Sequence, residues 1–116
     1  MNQRYLYILA QAPYASAAGV EALEAAITSA NFDLRVSILL LHDGIYQIKA
    51  GQGDELKNTG KTFNALQDFG IQDLFIDQLS LDARGLTSAD LAVPAKILDA
   101  QEISDLVADC HQVITF

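Results

Sequence analysis

Leu74-Phe75-Ile76-Asp77-Gln78-Leu79-Ser80-Leu81-Asp82-Ala83-Arg84-Gly85-Leu86 is the stretch on which the fold turns. Three large apolar residues form a strand short enough to be buried on both faces. A short helix from Leu79 to Ala83 follows at once, and Arg84-Gly85 stops it. A strand that feeds directly into a helix is half of a parallel crossover unit. In such sheets, ligands and nucleophiles sit just beyond the carboxyl end of a strand. Here that position holds Asp77, and the one cysteine of the chain, Cys110, lies far away in sequence.

Working outward, the same alternation recurs. Tyr5 to Ala10 is rich in aromatic and branched residues and reads as a strand. Gln11 to Ser16 forms the loop after it, with Pro13 holding its predecessor extended and Ser16 placed to cap a helix from Ala17 to about Ser29. Val20, Leu23, Ala26 and Ile27 share one face of that helix. Val36 to Leu41 is a second, nearly continuous apolar strand, ended by His42-Asp43-Gly44, with a short helical turn from Ile45 to Ile48.

Ala50 to Asp54 reads as a glycine-containing loop, and a helix is expected from about Leu56 to Phe69 with Gly70 as its cap. Gly60 weakens that helix by roughly 1 kcal/mol relative to alanine. Ala95 to Leu98 gives a fourth strand, Asp99 caps a helix from Ala100 to Ala108, and Val113 to Phe116 gives a fifth strand. Strands separated by helices predict an α/β protein: three layers, a mostly parallel five-stranded sheet, and helices on both faces. The whole of residues 1–116 is expected to form one domain.

Composition narrows the function. The chain of 116 residues is 51% hydrophobic, with a net charge of −8. Its pI is near 4.3 and its mean hydropathy +0.20. A chain this apolar encloses its sheet on both faces or hides a face against a partner. The basic residues Arg4, Arg35, Lys49, Lys57, Lys61, Arg84 and Lys96 are scattered, which argues against direct binding of nucleic acid. One cysteine excludes an intrachain disulfide and a multi-cysteine zinc site, and no cofactor or metal is expected. Residues 1–10 show no signal-peptide cleavage pattern and no run of about 18 apolar residues occurs, so a cytoplasmic protein without a membrane span is expected.

Several groups offer chemistry, each beside a plainer reading. Cys110-His111 places an imidazole next to a thiol, but neighbours in a strand point to opposite faces, and the pair falls at the amino end of the last strand. An inert Cys110 is the favoured reading, and a stand-alone persulfide carrier through Cys110 is the alternative. His42-Asp43-Gly44 offers a base beside a carboxylate, or a turn in which Asp43 makes a local bond and Gly44 takes a positive φ. Gly51-Gln52-Gly53 lacks the Lys-Ser/Thr of a phosphate loop. Asp77, Asp82 and Arg84 form either an acid–base cluster or a solvated, ion-paired surface. Tyr14, Ile45, Tyr46 and Ile48 lie in loops beside strand ends and suit either a core or a protein interface.

Taken together and in order, several blocks resemble a known family. They are Gln11-Ala12-Pro13-Tyr14, Glu21 to Ala26, His42-Asp43-Gly44-Ile45-Tyr46-Gln47 with Gly51-Gln52, Ser80 to Thr87, and the closing Val113 to Phe116. The chain resembles the DsrE/DsrF/TusC group over nearly its whole length, and most of all TusC/DsrF. The resemblance implies a cytoplasmic α/β subunit of a sulfur relay. Its partners would be TusB-like and TusD-like subunits in a heterohexamer made of two heterotrimers. That complex would take persulfide sulfur from a TusA-like donor to a TusE-like acceptor, toward the 2-thiouridine at the wobble position of certain tRNAs. The related DsrEFH complex serves sulfur oxidation. Within the family, the TusD/DsrE subunit carries the acceptor cysteine after the third strand. Alignment on Arg84-Gly85 puts Asp77 at that place, and Cys110 does not match the motif. The resemblance therefore implies a subunit without a catalytic residue of its own.

Overall fold

In the computed structural model, residues 3–12, 18–32, 34–48, 66, 70–71, 73–91 and 93–116 are described. Five strands make one sheet: β1 (Arg4–Leu9), β2 (Arg35–Leu40), β3 (Asp73–Asp77), β4 (Lys96–Leu98) and β5 (Gln112–Thr115). Their order across the sheet is β4-β3-β2-β1-β5. Every pairing is parallel. Among the described residues three α-helices accompany them: α1 (Ala18–Ala30), α2 (Gln78–Ala83) and α3 (Ala100–Asp109). Single 3₁₀ segments span His42–Gln47 and Ser88–Asp90. The α/β class and the parallel sheet are as the sequence predicts.

Strand periodicity builds the two cores. Side chains alternate across a sheet, and here both alternations are apolar. Tyr7, Leu9, Val36, Ile38, Leu40 and Ile76 meet Ala22, Leu23 and Ala26 of α1 in one cluster. Leu6, Leu39 and Leu98 meet Leu106 of α3 in the other, with Ile8, Phe75 and Ile103 packed against them. All of β2 after Arg35 is buried, as befits a strand covered on both faces.

Local sequence sets the ends of the elements. Asp99 and Glu102 cap α3 reciprocally: each carboxylate accepts the other's backbone amide, at 2.8 and 3.0 Å. Gly85 stops α2 in a left-handed conformation, φ +67. Its amide donates to the Asp82 carbonyl and that of Leu86 to the Leu81 carbonyl, a Schellman closure. Gly70 also has a positive φ, and the Ile71 amide donates to the buried Leu66. The rest of the helix expected over residues 56–69, the loop at 50–54 and the cap at Ser16 lie outside the described residues.

One turn differs from expectation. The positive φ after β2 belongs to His42 (φ +49), not to Gly44. Gly44 is required for a different reason. A Cβ there would lie 2.0 Å from the Leu9 carbonyl oxygen, because the 3₁₀ segment packs directly on the end of β1. The segment also starts at His42, three residues earlier than the sequence suggests.

Candidate functional site

The carboxyl ends of β1, β2 and β3 meet in one hydrogen-bonded layer. The Leu41 amide donates to the Leu9 carbonyl at 3.1 Å, which ties the exit of β2 to the exit of β1. The His42 amide donates to the Ser80 hydroxyl oxygen at 2.8 Å, which ties β2 to α2. Ser80 in turn donates its hydroxyl to Asp77 Oδ2 at 2.6 Å, and its amide to the same oxygen at 3.1 Å. Asp77 is thus the last residue of β3 and the N-cap of α2, and only 8% of its surface is exposed.

Arg84 braces the layer from outside. Its guanidinium donates to Asp43 Oδ1 through Nη2 at 2.8 Å and Nε at 3.2 Å, and through Nη1 to the Ser80 carbonyl at 3.1 Å. Asp43 therefore makes a contact 41 residues away in sequence rather than the local bond expected of a turn. Asp82 accepts from Gln78 at 2.8 Å and joins neither Asp77 nor Arg84. The proposed acid–base cluster of Asp77, Asp82 and Arg84 is not assembled: three partners divide those groups among capping, bracing and a surface bond. Asp43 is likewise paired with Arg84 through Oδ1.

Gln47 carries no sign of a role in its sequence context. It is 1% exposed, and its Nε2 donates to the Gln11 carbonyl at 3.0 Å. Among the described residues its buried Oε1 has no hydrogen-bond partner. A buried amide oxygen left unpaired is uncommon. No local pattern signals it, because the burial comes from packing against the β1 exit.

At the opposite end of the sheet stand Cys110 and His111. His111 Nδ1 accepts the Arg4 amide at 3.0 Å, and its own amide donates to the Arg4 carbonyl at 2.8 Å. The imidazole is spent on the backbone of β1 and does not activate the thiol. Burial pushes the Cys110 thiol pKa up, with the Arg4 and Arg35 charges pulling the other way and Asp109 and Asp73 adding to the rise. Arg4 also pairs with Asp109 at 2.7 Å and donates to Ser37 at 3.3 Å; Ser37 donates to Asp73 at 3.1 Å. A cleft of about 460 Å³ lies beside this network, lined by Arg4, Phe75, Lys96, Glu102, Asp105 and Asp109 among others. It mixes both signs of charge, and Asp77 is not part of its wall.

Of the four interface candidates, Tyr14 lies outside the described residues. Ile45 and Ile48 have no exposed surface and belong to the α1-side core. That corrects the interface reading for these two. Gly44 brings the 3₁₀ segment close enough to β1 for both side chains to fill the interior. Tyr46 is half-buried and packs against the same cluster. Gly51-Gln52-Gly53 is outside the described residues. Among the described residues no group of three or more His, Cys, Asp or Glu side chains is placed to hold a metal ion. No described helix is long and apolar enough to cross a membrane.

This is a small parallel α/β protein whose strand exits are joined in one hydrogen-bonded layer. The DsrE/DsrF-like family model matches residues 3–116, and the chain belongs to that family. A TusC homolog of Pseudomonas aeruginosa is 37% identical, covering 99% of each chain. The intracellular sulfur oxidation protein DsrF of Allochromatium vinosum is 32% identical, covering 98% of this chain and 96% of its own. The crystal structure of the ychN protein from E. coli superimposes with a TM-score of 0.77 over 100% of both chains at 20% identity, which shows a shared fold.

Proposed function

We propose that this chain is a non-catalytic structural and binding subunit of a sulfur-relay complex. In this reading it assembles with TusB-like and TusD-like subunits in a cytoplasmic heterohexamer. The complex passes persulfide sulfur from a TusA-like donor to a TusE-like acceptor, toward 2-thiouridine at the tRNA wobble position. The chain itself touches no nucleic acid.

One observation carries the reading. Asp77, which the resemblance sets at the place of the TusD/DsrE acceptor cysteine, is buried and committed to capping α2. A carboxylate so held cannot carry sulfane sulfur. The single cysteine lies at the other end of the sheet, with its thiolate disfavoured by burial.

A second reading keeps the subunit role and changes the pathway. The 32% identity to a DsrF named for intracellular sulfur oxidation supports membership of a DsrEFH-like complex instead. Co-expression with TusB-like and TusD-like chains tests both the role and the partners. A stable complex near six chains is expected, with persulfide found by intact mass on the TusD-like chain alone. Relay activity is expected to survive Cys110→Ala. Sulfane sulfur on Cys110 that delivery requires would refute the non-catalytic role.

A further inference from the structure

The two edges of the sheet are finished differently. β4 is three residues long, contains the exposed Lys96 and follows the exposed Pro94. Both are devices that keep other strands away. β5 carries neither a charge nor a proline, and all four of its residues are exposed. Val113 and Ile114 keep 40% and 37% of their surface open.

Register shows where those surfaces point. Val113 stands beside Leu6 and Ile114 beside Tyr7. Leu6 belongs to the α3-side core and Tyr7 to the α1-side core. The two exposed side chains therefore lie on opposite faces of the sheet. A helix or loop resting on one face would cover only one of them. A strand laid alongside β5 extends both faces, covers both residues and takes up the free edge of the backbone ladder.

Charge chooses between a second copy and a different chain. α3 lies on the Val113 face and has Glu102, Asp105 and Asp109, the last paired with Arg4, but no Lys or Arg. Antiparallel pairing of two β5 strands about a twofold axis keeps each face of the sheet continuous. It would set two acidic helices on the same side of the joint, in chains that each carry a net charge of −8. We propose that β5 is an augmentation edge that accepts an extended strand from a different subunit, one that presents basic side chains on the α3 face. The proposal rests on reading this chain as a subunit of a larger assembly.

The test titrates the full chain with co-purified TusB-like and TusD-like subunits. The double variant Val113→Lys with Ile114→Lys puts on β5 the protection that Lys96 gives β4. It should weaken association by about tenfold or more, while its circular dichroism stays that of the parent. Asp105→Lys leaves β5 untouched and should weaken association several-fold, with a flatter salt dependence. Phe32→Lys, at an exposed residue outside the sheet, should change nothing. Amide exchange at residues 112–115 should slow on assembly. Unchanged affinity of the β5 variant, or unchanged exchange in β5, overturns the proposal while leaving the subunit reading intact. A homodimer of the isolated chain that the β5 variant breaks would make the occupant a second copy, against the charge argument. Failure of the parent chain to associate at all would remove the subunit reading and this inference with it.

Discussion

The Asp77 carboxylate and Ser80 are joined twice through one oxygen: Oδ2 accepts the hydroxyl at 2.6 Å and the amide at 3.1 Å. The same hydroxyl oxygen accepts the His42 amide, so one carboxylate orders the exits of two neighbouring strands. Asp77→Ala removes the cap and leaves the buried Ser80 hydroxyl without its acceptor. A loss of about 1–3 kcal/mol is expected, read as a lower urea midpoint. Asp77→Asn keeps an acceptor oxygen and should lose less than half as much. An unchanged midpoint for Asp77→Ala would remove Asp77 from its capping role.

Gly44 tests the packing of the 3₁₀ segment on β1. Gly44→Ala forces a Cβ to within 2.0 Å of the Leu9 oxygen, and only backbone can move away. Overpacking of this kind costs about 1–3 kcal/mol, and a rigid backbone neighbour puts this site at the upper end. Thermal unfolding should show a drop of roughly 4 °C for each kcal/mol lost. Gly85→Ala is a useful comparison. It meets no atom within 4 Å but must hold φ +67, so its cost is conformational alone and should be smaller, about 1 kcal/mol.

These sites also show what was legible in the sequence. Apolar runs such as Val36 to Leu41 announce a sheet buried on both faces, and Gly85 and Asp99 announce their own caps, because all of that is written within a few residues. The Arg84–Asp43 brace spans 41 residues and exists only once β2 and β3 are neighbours. The left-handed turn falls on His42, while Gly44, two residues on, serves the close approach to β1 instead. Ile45 and Ile48 suit core or interface equally in the sequence, and only the enclosed β1 exit puts them in the core. Most telling, β5 and β2 read alike as apolar strands, and only the order across the sheet makes one an interior strand and the other an edge.

Cys110 gives a pH-dependent prediction. Burial raises its pKa in the folded chain, so unfolding lets the thiol ionise at lower pH. The resulting stability is fully present below the ordinary thiol pKa and is lost as pH rises through the higher, folded value. Iodoacetamide should label native Cys110 more slowly near neutral pH than it labels the unfolded chain. Cys110→Ser should lose less stability on moving to alkaline pH than the parent does. Fast labelling of the native thiol at pH 7 would contradict the inert reading.

Gln47 separates a structural amide from a charge in the same place. Gln47→Leu gives up the bond to the Gln11 carbonyl but also removes the orphaned Oε1. Because Gln11 is exposed, water can serve its carbonyl, and the variant should stay within about 1 kcal/mol of the parent. Gln47→Glu is nearly isosteric, yet it aims a buried carboxylate at a carbonyl oxygen. At neutral pH it should cost about 3 kcal/mol. Burial raises the folded pKa of the new carboxyl above its unfolded value of about 4.3. The variant should therefore approach the parent in acid and fall away as pH rises through that folded value, as urea midpoints from pH 4 to 8 would show. A Glu variant as stable as the parent at pH 8 would mean that Gln47 sits where water or a counter-charge reaches it.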